Sequence, residues 1–365
     1  MTLAWQDARR ILCVRLDNLG DVLMTTPALR ALKQSHPERH ITVLASPSGA
    51  ALAPHVPEID AVIPYEAPWM KLAKPTLASA DLAMRSTIEA RRFDAAVIFT
   101  VYSQSPLPAA LLCHLAGIPL RLAHCRENPY QLLTDWVRET EPASGVRHEV
   151  RRQLDLVASI GARAEDERLS FRVSAEERLR ATLKLAESGI DPDQPWIVVH
   201  PGATAASRRY DAERFARVAS ELSRTLDCQV AVTGDSSEIG LVERVRSAVG
   251  RAARSLAGSL SLAEFAGVLA QSPLLVSNNT GAVHLAAAVG TPVVDLYALT
   301  NPQHTPWKVE HRVLFHDVPC RYCYKSLCPS GHHDCLRLVT PEEVALAAQE
   351  LLLGVRAMSD RSLAC

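Results

Sequence analysis

The chain has 365 residues, 48% of them hydrophobic, which exceeds one ordinary core and makes two domains the expectation. A formal net charge of −1 argues against a broad nucleic-acid-binding surface. Met1–Arg10 has no apolar signal core, and the most apolar stretch, Pro108–Leu120, is broken by His114 and Gly117 and is too short for a bilayer, so the reading is a cytoplasmic protein without a transmembrane segment.

Few aromatics with many Ala, Leu and Val suit helices packed on parallel sheets. The first predicted strand is Ile11–Leu16, followed by the loop Asp17-Asn18-Leu19-Gly20-Asp21 and a helix ending near His36-Pro37. Pro27 either starts that helix proper or kinks it. Strands follow at Ile41–Ala45, Ala61–Pro64 and Ala95–Thr100, with helices at Ala78–Arg92, Pro108–Ala116 and His148–Ile160. Gly161–Pro195 reads as the connection and carries a charged helix, Ser174–Ser188. Ser174 with Glu177 forms its capping box and Gly189 its stop. A second α/β series then runs through strand Trp196–His200, helix Asp211–Thr225, strand Cys228–Thr233, helix Ser236–Val249 and helix Leu262–Gln271. It continues through strand Leu274–Val276, helix Ala282–Val289 and strand Val293–Tyr297. The fold class is therefore α/β, two parallel-sheet halves with a ligand cleft expected between them at strand carboxyl ends.

Four polar turns follow strands in these halves. Asp21 sits where a carboxylate could take a proton from an acceptor hydroxyl, with a helix-capping role as the other reading. The loop has one glycine rather than the three of a dinucleotide fingerprint, which disfavours a nicotinamide enzyme. His200-Pro201-Gly202-Ala203-Thr204, with Arg208 and Arg209 after it, could clamp a diphosphate or be an ordinary solvated loop. Gly234 opens Thr233–Glu238, where a carboxylate could accept from ribose hydroxyls or simply start a helix. Asn279-Thr280-Gly281 enters a helix whose free N–H groups suit a phosphate, and His284 lies one turn in, either packed or functional. Arg121, His124 and Arg126, with Arg147, His148, Arg151 and Arg152, could meet an anionic acceptor or form a solvated face.

Of nine cysteines, Cys13, Cys113, Cys125, Cys228 and Cys365 are scattered, whereas Cys320, Cys323, Cys328 and Cys335 are bunched. Cys320 and Cys323 have knuckle spacing, so a four-thiolate metal site is expected, against reduced thiols or adventitious disulfides.

Together these motifs resemble glycosyltransferase family 9, the bacterial ADP-heptose heptosyltransferases of lipopolysaccharide core assembly. The resemblance covers most of the chain and rests on Leu19-Gly20-Asp21, His200-Pro201-Gly202, the Gly234 loop, and Asn279-Thr280-Gly281 with His284-Leu285. It implies a GT-B fold of two Rossmann-like domains: residues 1–170 for the acceptor, and 171–340, with a Cys-rich segment at 316–336, for the nucleotide sugar. A terminal helix within 341–365 would pack back on the first domain.

By position, Asp21 falls on the family's catalytic base, beside Gly20. Thr204 falls on a phosphate-binding threonine, and Arg208 where members usually carry a phosphate-binding lysine. Glu238 falls near a ribose-binding glutamate and Leu260 near the adenine pocket. Asn279, Thr280, Gly281 and His284 complete the donor side, and Arg121 and Arg126 lie on the acceptor side. Asn279 departs from the family's usual Asp and lacks its charge. No catalytic metal is required, and some relatives imply zinc or iron at the cysteines. The implied reaction is inverting transfer from ADP-heptose to a glycolipid acceptor at the cytoplasmic face of the inner membrane. A nucleotide-sugar epimerase of the same fold, a protein-acceptor heptosyltransferase and a non-catalytic binding protein are the rival readings.

Overall fold

A computed structural model describes residues 4–71 and 77–362, and the side chains of these as far as residue 354; Cys365 lies outside the described residues. The chain forms two compact units that divide after Phe171. The first holds the sheet strands β1 (Arg10–Arg15), β2 (His40–Ala45), β3 (Ala61–Pro64), β4 (Ala95–Ile98), β5 (Leu120–Cys125) and β6 (Asp135–Arg138). The second holds β7 (Trp196–His200), β8 (Gln229–Val232), β9 (Ala253–Ser255), β10 (Leu275–Asn278), β11 (Val293–Leu296) and β12 (His311–Leu314). The strand orders are β3-β2-β1-β4-β5-β6 and β12-β11-β10-β7-β8-β9. Counted within each unit, both are the order 3-2-1-4-5-6, and every ladder is parallel. These are two Rossmann-like units of the GT-B type.

The central strands are apolar because both of their faces are covered. All residues of β4, β10 and β11 are buried. Helix Leu19–Ser35 contains Pro27, which cannot donate to the Leu23 carbonyl. The Thr26 hydroxyl donates to that carbonyl instead at 2.7 Å, so the helix continues through the proline. The Ser174–Glu177 capping box and the left-handed Gly189 stop both form.

Four strands escape the sequence pattern. Three of them, β6 (DWVR), β9 (ARS) and β12 (HRVL), are short edge strands whose charged residues keep the sheet edge from pairing further. The fourth, β5 (LRLAHC), has its basic residues buried.

Helix Pro341–Ser362 packs within the second unit. Its apolar stripe, Val344, Ala345, Ala348, Leu351 and Leu352, belongs to the core of the second unit, packed on helix Ala212–Leu226. No helix among the described residues is long and apolar enough to cross a membrane.

Candidate functional site

In an open parallel sheet, ligands bind beyond the strand carboxyl ends where the strand order reverses. In the second unit that point lies between β7 and β10. Asn278, the last residue of β10, is fully buried there. Its Oδ1 accepts from the Tyr210 backbone N–H at 2.9 Å, and its Nδ2 donates to the Pro201 carbonyl at 2.8 Å. One amide thus ties the loop after β7 to the end of β10. Beside it is a pocket of about 250 Å³ lined by His200, Thr204, Glu238, Leu260, Phe265, Thr280 and Gly281, among others.

The pocket walls differ in chemistry. Leu260, Leu262 and Phe265 form an apolar side, with the His200 ring stacked on Phe265 at 5.6 Å. Burial pushes the His200 imidazole down to about 4, and the nearby Asp235 carboxylate only partly opposes this. His200 is therefore a neutral ring at physiological pH, with Nδ1 3.0 Å from the Thr233 hydroxyl. Opposite, Glu238 is half-buried and accepts the Asp235 backbone N–H at 3.1 Å. Burial raises its proton affinity. A Cβ at Gly202 would lie 2.1 Å from a Glu238 oxygen, so any larger residue there must displace that carboxylate. Thr280 caps helix Gly281–Val289, accepting the Ala282 N–H at 3.3 Å, so the helix amino end opens into the pocket.

Five predicted donor residues, Thr204, Glu238, Leu260, Thr280 and Gly281, therefore share one pocket. Asn279, Arg208 and His284 do not line it. Asn279 is buried, and its Nδ2 donates to Asp295 Oδ2 at 2.9 Å and to the His304 carbonyl at 2.8 Å. The side chain that departs from the family pattern is thus paired with a buried carboxylate on β11. Burial pushes Asp295 up to about 8, with the Asn279 hydrogen bond and the Arg208 charge pulling the other way. Arg208 ends the short turn Ala206–Arg208 and lies within electrostatic reach of Asp295 and Tyr297. His284 is buried inside its helix.

The cysteine segment corrects the metal expectation. Among the described residues no group of three or more His, Cys, Asp or Glu is arranged to hold a metal ion. Cys320, Cys323, Cys328 and Cys335 are free thiols, so neither zinc nor iron is assigned to them. Cys320 and Cys335 pack against the small apolar cluster of Tyr297, Leu299 and Val318. What the segment does is brace the Arg208 turn: Ser207 donates its N–H to the Ser326 carbonyl at 3.0 Å and its hydroxyl to the Lys325 carbonyl at 2.7 Å.

In the first unit, Asp21 sits in the first turn of helix Leu19–Ser35. Its carboxylate caps the helix through Oδ2, which accepts the Asn18 N–H at 3.2 Å, while Oδ1 meets Arg15 Nη2 at 3.1 Å. Gly20 is buried beside it. Arg15 also pairs with Asp17 at 3.1 Å and Glu149 at 2.9 Å. Arg15, Asp17 and Glu149 were assigned no role from the sequence, because Arg15 reads as a strand end and Glu149 lies far along the chain.

The other predicted cations are engaged internally. The buried Arg121 donates to the carbonyls of Leu132 and Gln131 at 2.8 Å each. Arg126 is exposed and donates to the Glu141 carbonyl at 2.6 Å. Arg147 pairs with Asp155, Arg151 with Glu167 and Arg152 with Glu139. His124 is buried against the Arg152 carbonyl, and burial drives it down to about 3.

The sequence profile of glycosyltransferase family 9 (heptosyltransferase) matches residues 82–333. The chain belongs to glycosyltransferase family 9. This family 9 enzyme is 23% identical to lipooligosaccharide heptosyltransferase 2 of Campylobacter jejuni, over 92% of its own length and 95% of the relative's. Among solved structures, a family 9 glycosyltransferase from Veillonella parvula matches with a TM-score of 0.81 and 24% identity, covering 97% of this chain and 99% of that one. ADP-heptose LPS heptosyltransferase II of E. coli matches at 0.74 and 23%, covering 95% and 99%.

The buried Asp295 makes the enzyme's stability depend on pH. Its native proton affinity lies above the ordinary carboxylate value near 4, so between about pH 4 and 8 the native state keeps a proton that the unfolded chain releases. Stability from this group is lost as pH rises through that window. Asp295→Asn keeps an acceptor for Asn279 and removes the titration. It should stabilise the protein by on the order of 1–3 kcal/mol at pH 8 and by clearly less at pH 5. Urea unfolding at both pH values measures this, and an equal difference at the two would refute it.

Proposed function

We propose that this enzyme is an inverting glycosyltransferase that moves a heptose from ADP-heptose to a lipopolysaccharide-core or related glycolipid acceptor at the cytoplasmic face of the inner membrane. The observation that carries the donor assignment is the gathering of Thr204, Glu238, Leu260, Thr280 and Gly281 around one pocket at the second unit's switch point. Leu260, Leu262 and Phe265 offer a surface on which a purine ring stacks. Glu238 is an acceptor for ribose hydroxyls. The Gly281 helix amino end and the Thr204 hydroxyl are donors for a diphosphate. Arg208, held on its braced turn, adds the positive charge that steadies the leaving group. The names of the relatives, which are lipopolysaccharide and lipooligosaccharide heptosyltransferases, support heptose and the acceptor class.

Asp21 takes the proton from the acceptor hydroxyl. The oxygen attacks the anomeric carbon as the bond to the β-phosphate oxygen breaks, and ADP departs with inversion at that carbon. Arg15 and the Asn18 N–H fix both oxygens of Asp21, so its carboxylate is aimed before substrate arrives.

Three measurements test this reading. A thermal-shift screen should show ADP-heptose raising the melting temperature more than UDP-, GDP- or dTDP-sugars do; a larger shift from one of the others would replace the donor. Asp21→Ala should lower turnover by on the order of 10²–10⁴-fold with donor binding intact, and undiminished turnover would remove Asp21 as base. Gly202→Ala forces the Glu238 carboxylate to move. It should weaken ADP binding about tenfold in calorimetry, and an unchanged affinity in the folded variant would separate Glu238 from the nucleotide.

A further inference from the structure

Arg15 ends β1 with its guanidinium wholly buried, and it faces three carboxylates from three places in the chain. Nη1 donates to Glu149 Oε1 at 2.9 Å, Nη2 to Asp21 Oδ1 at 3.1 Å, and Nε pairs with Asp17 Oδ2 at 3.1 Å. The side chains of Asp21, Asp17 and Glu149 are 18%, 13% and 1% exposed, so Asp21 is the member most open to a substrate. Glu149 begins helix Glu149–Ala158, which packs on the helix that carries Asp21. Gln153 donates to Glu149 Oε1, and Gln104 donates to Asp17 Oδ1 at 2.7 Å.

The surroundings do not neutralise the excess. Arg152 acts on Glu149 but is ion-paired to Glu139 at 2.6 Å, with Glu141 and Arg147 beyond it. His124 lies against the Arg152 carbonyl and is kept neutral by burial. Arg15 remains charged because Asp17, Glu149 and Asp21 together outweigh its burial. Burial pushes Asp17 and Glu149 toward their protonated forms, and the Arg15 charge is the largest influence holding each of them ionised.

A one-to-one pair with a buried arginine would make Asp21 a poor proton acceptor, because the cation would stabilise only the ionised form. With three carboxylates on one guanidinium, that stabilisation is divided, while the hydrogen bond still aims the side chain. We propose that Glu149, through Arg15, is a positioning residue for Asp21: it anchors the arginine that orients the base and, together with Asp17, draws off enough of its charge to keep Asp21 a competent proton acceptor. This rests on the reading of Asp21 as base given above.

Glu149→Gln tests it, since glutamine fills the same space and can still accept from Arg15. Arg15 then serves two carboxylates instead of three, and Asp21 loses a negative neighbour. The acid limb of the pH profile of kcat/KM should move to lower pH by on the order of 0.5–1 unit. The plateau kcat should fall severalfold, and the KM for the donor should not change. An acid limb that coincides with wild type, whatever the plateau, overturns the proposal. Asp17→Asn removes the third carboxylate at a less buried position and must shift the limb in the same direction; if Glu149→Gln fails to fold, a fixed limb in Asp17→Asn overturns the proposal alone. Asp21→Asn in the same assay separates the two claims. If it retains wild-type turnover, the base assignment itself fails. If it is inactive while the limb stays fixed in the other variants, only the role of Glu149 fails.

Discussion

Parallel pairing of the strands is the constraint on which the other features rest. When neighbouring strands all run the same way, every strand-to-helix turn of a sheet emerges on one rim, and the helices that return the chain cover both faces. The strand interiors are then mostly apolar, and most of the polar residues collect at the rims. The reversal between β7 and β10 leaves a gap there that no crossover fills. Asn278 keeps that gap in shape, because its buried amide has its donor and acceptor satisfied by the loop after β7.

Buried polar groups lie beside the strand-end turns of both units. In the second unit the Asn279–Asp295 pair lies under the helix turn, where an uncharged amide on the turn meets a carboxylate on the neighbouring strand. In the first, Arg15 gathers Asp17, Asp21 and Glu149. Each arrangement costs desolvation that an apolar core would avoid. Each also holds a side chain in one orientation, which a site built for group transfer needs before its substrate arrives. The cysteine segment belongs to the same logic. Its carbonyls hold Ser207 and so the turn that carries Arg208, a role that hydrogen bonds fill without a metal.

Much of this was legible from residue order. Apolar runs located the central strands, Ser174 with Glu177 and Gly189 bounded a helix, and turns after strands located Asp21, Thr204, Glu238 and Thr280. Edge strands β6, β9 and β12 were not legible, because an edge is protected by charges that erase the alternating pattern. The basic residues of the first half read either as a patch for an anionic acceptor or as a solvated face. Their partners, Glu139, Asp155, Glu167 and the carbonyls around Arg121, become visible only when the chain is folded. Knuckle spacing at Cys320 and Cys323 suggested a metal, but spacing says nothing of where the other two thiols point.

By itself the sequence determined the periodicities, and through them the two α/β halves, the order of their elements and the turns that could bear chemistry, because local hydrophobic pattern and cap chemistry act over a few residues. Only the tertiary structure decided which side chains work together. Glu149 reaches Arg15 across more than a hundred residues, and Asp295 meets Asn279 from an adjacent strand. Those pairings follow from strand order and register, which place distant residues within hydrogen-bond reach and carry no local signal.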